Sequence, residues 1–346
     1  MKKKVCVGLS GGVDSSVTAY LLQEAGYDVF GIMMYTYDES RCCDMSSVLD
    51  AHDVAKKLNI PFEVIDFRPQ FNNEIVDYFI ESYQAGLTPN PCVKCNAVMR
   101  FDILWETARK MGADYLATGH YARVTETNGH YSLLRGIDPE KDQSYMLSQL
   151  SQEQLSRALF PLGDKLKSET RQIAEKAGLV TSHKSDSQDL CFLPHGIKEF
   201  FERKSPQILK KGDILNHDGK KLGTHDGLPL YTIGQRTGLG IASSEKLYIS
   251  EIDTSSNTIT LSPKDAVMKT SFSISQVNNL NSICCDSFSA DVQIRYHGRP
   301  IPAQCFRSGE NKMTIVLSIP NSTITPGQVA VGYRGDEVLF SGVIER

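Results

Sequence analysis

Val5-Cys6-Val7-Gly8-Leu9-Ser10-Gly11-Gly12-Val13-Asp14-Ser15-Ser16 is the stretch that decides the fold. Its first five residues are a short apolar run, which reads as a buried strand. Ser15–Glu24 then carries Val17, Leu21 and Leu22 on one helical face. Between strand and helix, two glycines let the backbone turn tightly and approach an oxyanion. The helix start adds unpaired N–H groups and the positive end of a dipole, and Ser10 and Ser15 add hydroxyls. The loop is an anion cradle by construction. It lacks the Gly-Lys-[Ser/Thr] of a Walker loop and the G-x-G-x-x-G of a dinucleotide fingerprint. A glycine turn that only caps a helix is the plain alternative, but the placement between first strand and first helix favours phosphate.

Outward from this loop, strand and helix alternate through the first 200 residues. Apolar runs at 29–35, 62–67 and 115–118 read as strands, and 48–58, 72–85, 100–111, 152–158 and 167–177 as helices. That alternation predicts a parallel sheet covered on both faces. Near residue 205 the texture changes to turn signals between short alternating runs, with a hairpin at 247–252 and 258–262. Six short strands in the last 75 residues, at 272–277, 290–295, 303–306, 313–317, 328–333 and 337–343, predict a small barrel. The expected domains are 1–203, 204–271 and 272–346.

Composition narrows the class. Of 346 residues, 40% are hydrophobic and 23% charged, ordinary values that exclude bulk disorder. No apolar run is long enough to span a membrane. The basic Met1-Lys2-Lys3-Lys4 start precedes too short an apolar run for a signal peptide, so the expected location is the cytoplasm. A net charge of −4 does not by itself announce a nucleic-acid partner. The nine cysteines, 6, 42, 43, 92, 95, 191, 284, 285 and 305, are odd in number in a chain read as cytosolic. A disulfide scaffold is therefore set aside, and metal binding or thiol chemistry is the reading to test.

Two cysteine segments stand out. In Thr88-Pro89-Asn90-Pro91-Cys92-Val93-Lys94-Cys95-Asn96, two prolines stiffen the backbone ahead of two thiols. A helix start close by would stabilise a thiolate. Cys191 closes the polar stretch Ser185–Phe192. The C-x-x-C could equally be half a zinc site, with Cys42-Cys43 as an awkward other half. Cys6 reads as a packing residue, and Cys284, Cys285 and Cys305 as structural.

The S-G-G-x-D-S pattern resembles the PP-loop of ATP pyrophosphatases, and the remaining motifs narrow the resemblance to the tRNA-specific 2-thiouridylase family. They are Thr88–Pro91 with Cys95-Asn96, Ala117-Thr118-Gly119-His120-Tyr121, Lys141-Asp142-Gln143-Ser144-Tyr145, Cys191-Phe192, Thr232-Ile233-Gly234-Gln235-Arg236 with Gly238-Leu239-Gly240, Arg295-Tyr296, and Thr325-Pro326-Gly327-Gln328. The resemblance implies an adenine-nucleotide α-hydrolase-like α/β domain, a small β-rich central domain and a C-terminal β-barrel. It implies 2-thiolation of the wobble uridine, U34, of tRNAs for lysine, glutamate and glutamine. ATP and Mg2+ activate the base. A persulfide on Cys191, loaded by a cysteine desulfurase or sulfur-carrier protein, supplies sulfur, and Cys95 acts as the nucleophile that releases sulfide by forming a disulfide with Cys191, or assists direct attack. Gly8, Leu9, Ser10, Gly11, Gly12, Val13, Asp14, Ser15, Met34 and Gly119 are then the ATP contacts. Asn90, Pro91 and Cys92 meet the target base. His120, Lys141, Asp142, Gln143, Arg295, Tyr296 and Gln328 meet tRNA. Arginines and rings clustered at 295–299 also suit phosphate contact and base stacking.

Cys92 departs from the family, many of whose members carry Asp there. Three cysteines, 92, 95 and 191, could instead ligate a 4Fe-4S cluster, although such clusters favour four; the thiol cycle is preferred. Two rivals remain on sequence: another PP-loop ligase or amidating synthetase, which needs no paired thiols, and a non-catalytic metal-binding protein.

Overall fold

The computed structural model describes residues 2–38, 45–184, 190–243, 245–281, 285–309 and 311–346. The chain divides into two compact units, one of 1–75, 92–194 and 336–338, the other of 76–91, 195–335 and 339–346.

The first unit is built on a parallel sheet. Strands β1 (Lys4–Gly8), β2 (Asp28–Tyr35), β3 (Phe62–Asp66), β4 (Tyr115–Ala117) and β7 (Ala158–Leu159) lie in the order β3-β2-β1-β4-β7. Val5, Cys6 and Val7 of β1 are fully buried, as expected of a central strand with helices on both faces. Helix α1 (Val13–Glu24) presses Val13, Val17, Ala19 and Leu22 into the same cluster as Val5, Val7, Leu9 and Met33. Helix α2 (Met45–Leu58) adds Ala51, Val54, Ala55 and Leu58. Between β4 and β7 comes a hairpin the sequence reading missed, β5 (Ala122–Thr127) and β6 (His130–Arg135). Its turn places Asn128 and Gly129 both at positive φ, the Asn-Gly hairpin geometry. Leu134 of β6 pairs with Glu337, which brings 336–338 into this unit.

In the second unit, β8 (Gly212–Asn216), β9 (Lys221–His225), β10 (Leu247–Asp253) and β11 (Thr258–Pro263) form a small sheet ordered β10-β11-β8-β9. Ile214, Ile249, Ile259 and Leu261 are its core. The final strands are β12 (Lys269–Asn279), β13 (Ser287–Gln293), β14 (Ile301–Gly309), β15 (Lys312–Asn321), β16 (Val329–Arg334) and β17 (Glu337–Ile344). They run β12-β15-β14-β13-β16-β17 and close through β12–β17 pairing. Period-two burial makes the barrel: Ile301, Ala303 and Cys305 point in while Pro302, Gln304 and Phe306 point out. Closure removes open edges. Residues 76–91 belong here because Phe79 stacks on Phe201 at 5.8 Å and meets Phe200 edge-on at 5.5 Å. Among the described residues, no helix is long and apolar enough to cross a membrane.

Candidate nucleotide site and thiol elements

In an open parallel sheet, ligands bind beyond the carboxyl ends of strands where the chain order reverses. Here that point lies between β1 and β4, since β2 and β3 lie on one side of β1 and β4 and β7 on the other. The loop 8–15 leaves the end of β1, Gly119 follows β4, and Met34 sits near the end of β2. A Cβ on Gly119 would lie 2.9 Å from Asp14 Cβ and Ser15 N, so these two segments, both expected to contact ATP, are packed together. Gly11 stands at φ +69°, and a Cβ there would strike the Ser47 backbone; only glycine fits. Ser15 Oγ accepts from the Ser10 N–H at 3.2 Å and donates to Gly12 O at 3.1 Å. Gly12 caps α1 without a side-chain bond, so the first-turn amides face the cradle without one.

Asp14, expected among the ATP contacts, is ion-paired: its two oxygens each accept from Lys167 Nζ at 2.8 Å, and Oδ1 also accepts from Tyr121 OH at 2.9 Å. Tyr121 OH in turn donates to buried Thr170 at 2.9 Å. The sequence reading missed Lys167 and Tyr121 as site residues. One signal was legible: Lys167 opens the helix Lys167–Lys176, where the macrodipole disfavours a cation unless an anion answers it. Gln143 belongs to the same structure. Its Oε1 accepts from the Tyr121 N–H at 3.1 Å, and its own N–H donates to Tyr121 O at 2.8 Å.

His120 keeps some exposure, but its ring is enclosed beside Thr118 Oγ1 at 2.7 Å and edge-on to Phe160 at 6.1 Å. Burial, helped by the nearby Arg100 charge, pushes its pKa down from 6.5 to about 3. Burial therefore favours the neutral ring.

The thiols of 92 and 95 lie on a helix, not on a loop ahead of one. Pro91–Lys94 is its first turn, with Pro91 at the position proline favours. From Cys95 to Leu104 the helix takes the wider π form, a form often found at functional sites. Carbonyls of this segment are answered from outside it. Gln154 Nε2 donates to Ala97 O at 3.1 Å, and Arg157 donates to Phe101 O at 3.0 Å. Asn96 donates to Met146 O at 3.0 Å and accepts from Arg100. Cys191 is partly exposed. It is tethered through Phe192, whose buried ring meets Tyr37 at 6.2 Å and Phe71 at 5.8 Å. On the other flank, Lys184 pairs with Asp50 at 2.6 Å and Arg171 donates to the carbonyls of Ser182 and Lys184. Among the described residues no three or more His, Cys, Asp or Glu side chains are placed to hold a metal ion. Cys92, Cys95 and Cys191 thus form no cluster ligand set in this structure. Burial raises the thiol pKa of Cys6, and of Cys305 to about 12, so both are packing residues. Cys285 is exposed; Cys42, Cys43 and Cys284 lie outside the described residues.

Three family models match in order: a tRNA methyl transferase HUP domain over residues 3–195, a tRNA methyl transferase PRC-barrel domain over 198–263 and an aminomethyltransferase β-barrel domain over 269–344. The tRNA-specific 2-thiouridylase MnmA of Carboxydothermus hydrogenoformans is 42% identical, covering 100% of this chain and 98% of its own. That of Clostridium acetobutylicum is 40% identical over 100% of both. The chain belongs to the tRNA-specific 2-thiouridylase family. Among solved structures, the U34-tRNA thiolase NcsA of Methanococcus maripaludis, which holds a 4Fe-4S cluster, is 25% identical with a TM-score of 0.38, covering 55% of this chain and 63% of its own.

The residues that resemblance to the thiouridylases assigns to tRNA fall into different settings. Asp142 is a turn anchor: it accepts from Arg135 at 2.8 Å and from the Gly136 and Ser144 N–H groups, both at 3.0 Å. Arg295 is exposed and reaches Thr323 O at 3.4 Å, and Tyr296 and His297 bring their rings to 4.0 Å. Lys141 is half-buried. Gln328 donates inward, to Thr88 O at 2.8 Å and Pro89 O at 3.3 Å. Asn90 and Pro91 follow that anchored segment directly.

Proposed function

We propose that this thiouridylase converts U34 of tRNAs of the Lys, Glu and Gln type to 2-thiouridine, consuming ATP to AMP and pyrophosphate. The observation that carries the reading is the whole-length match to curated thiouridylases at about 40% identity. A phosphate cradle at the sheet's switch point supports it.

ATP is a substrate. The first-turn amides of α1 and the Ser10 and Ser15 hydroxyls hold its β,γ-phosphates, and the Lys167 ammonium, oriented by Asp14, balances their charge. Asp14 offers one carboxylate, which suits Mg2+ held mainly by substrate phosphates and water. Bound there, Mg2+ would screen phosphate charge. U34 O2 attacks the α-phosphorus; the P–O bond to pyrophosphate breaks, and O2 becomes a leaving group. Cys191 carries a persulfide delivered by a cysteine desulfurase or sulfur carrier. The Cys95 thiolate attacks Cys191 Sγ, forming the 95–191 disulfide and expelling hydrosulfide. Hydrosulfide adds to C2, AMP leaves, and an external dithiol reduces the disulfide. Residues 1–203 supply this chemistry, 204–271 link, and Arg295 and Tyr296 of 272–346 bind tRNA.

The test is single-turnover reaction of Cys191→Ser with tRNA, ATP and a persulfide donor. Pyrophosphate release without 2-thiouridine is expected. Formation of 2-thiouridine by this variant would remove Cys191 from sulfur delivery.

A further inference from the structure

Two motifs remain outside the chemistry above, Thr232–Arg236 and Thr325–Gln328. Both fold against one short segment, Leu87–Pro89. Thr88 is engaged by every polar group it has. Its N–H donates to Pro326 O at 2.9 Å, its carbonyl accepts from Gln328 Nε2 at 2.8 Å, and its hydroxyl donates to Thr232 Oγ1 at 3.3 Å. The Pro89 carbonyl takes a second bond from the same Gln328 amide nitrogen at 3.3 Å. The two motifs are tied to each other, since Thr325 Oγ1 donates to Ile233 O at 3.3 Å.

The support behind Gln328 is stiff. Its N–H donates to Thr325 O at 3.1 Å, and its carbonyl accepts from Ile344 N–H at 2.8 Å, at the end of β17. Gly327 stands at φ +92°, and a Cβ there would lie 2.9 Å from Leu87 Cβ and Thr88 N. Any other residue would be strained and would push the segment away. The chain then runs without a break from Pro89 into Asn90 and the helix carrying Cys92 and Cys95. A segment with prolines at 89 and 91 loses two backbone donors, so outside partners must hold it.

We propose that Gln328 is a positioning residue: with Thr325–Gly327 and Thr232 it clamps Thr88–Pro89, and so sets where the Asn90-Pro91 pair that follows begins. Its amide is aimed at the protein's own backbone, which differs from the tRNA contact implied by resemblance. The inference rests on the proposed function for what the clamp accomplishes, and on the hydrogen bonds alone for its existence.

The variant is Gln328→Met, which keeps length and volume and removes the donor. Three readings are taken on the full-length protein: kcat and KM for tRNA thiolation, tRNA affinity, and amide hydrogen exchange over residues 87–95 without tRNA or ATP. Because a displacement of about 1 Å can cost roughly a hundredfold in rate, kcat should fall about tenfold to a hundredfold. KM and affinity should stay within about twofold, and exchange at 87–95 should rise. A higher KM with intact kcat would overturn the proposal in favour of direct tRNA contact. Unchanged kcat and exchange would also overturn it. Thr88→Val, which breaks the Thr232 bond from the other side, must give the same pattern more weakly. Hydrogen exchange needs no substrate, so a wild-type protein that makes no 2-thiouridine would refute the function while leaving the clamp to stand or fall on exchange.

Discussion

At the scale of single residues, the pair of Asp14 and Lys167 is the sharpest feature. A lysine only 11% exposed, with Nζ 2.8 Å from both carboxylate oxygens, is oriented before any phosphate arrives. Lys167→Met should lower pyrophosphate release by about a hundredfold or more, the usual scale for removing one preorganised charge partner, with tRNA affinity unchanged. Normal release would take Lys167 out of the phosphate site. His120 makes a prediction of a different kind. Its folded pKa is about 3 against 6.5 ordinarily. Below pH 6.5 the unfolded chain binds a proton that the folded chain refuses, so stability present above 6.5 is lost as pH falls toward 3. Urea unfolding of wild type and His120→Asn should show a shallower acid loss in the variant; parallel pH profiles would place the ring in water.

Among the elements, the Pro91–Lys110 helical stretch matters most, because its π segment begins at Cys95. Gln154 is its principal brace, bonding Ala97 O at 3.1 Å and Asp102 Oδ1 at 2.6 Å. Gln154 is itself held by the Ser151 capping box. Gln154→Leu leaves the Ala97 carbonyl short of a partner and should destabilise the protein by about 1–3 kcal/mol. It should also raise the alkylation rate of Cys95, read by mass spectrometry under native conditions. An unchanged rate would mean the brace does not reach the thiol. The β5–β6 hairpin teaches the complementary lesson. Thr127-Asn128-Gly129-His130 carries a two-residue turn signal between alternating runs, so this element was legible and was overlooked. The π form was not legible, because its carbonyls find partners in residues 56 and 57 positions away.

For the whole molecule, charge is distributed rather than concentrated: the first 200 residues sum to −6 and the rest to +2. tRNA affinity should still fall with salt, since counterion release depends on phosphate contacts and not on net charge. Neutralising Arg295 and Arg299 together should weaken binding and flatten the log–log salt slope by up to about two. Titrations at several salt concentrations measure this, and an identical slope would remove the 295–299 loop from the tRNA surface.

The chain order of strands and helices, the phosphate loop and the barrel's six strands were readable in the sequence. Each rests on local periodicity or on a contiguous motif: the apolar run 5–9 before two glycines, or the short strand-like runs between turn signals after residue 272. Residue types within a few positions of one another determine those features. Tertiary structure alone decided the partners of isolated side chains. Asp14 and Lys167 are 153 positions apart, and Thr88 and Gln328 are 240 apart. Nothing in the local sequence at either end says that Asp14 meets the Lys167 ammonium, or that Gln328 donates to the Thr88 carbonyl. A side chain's chemistry is set by what the closed fold brings within about 3 Å, and that is a property of packing across the whole chain.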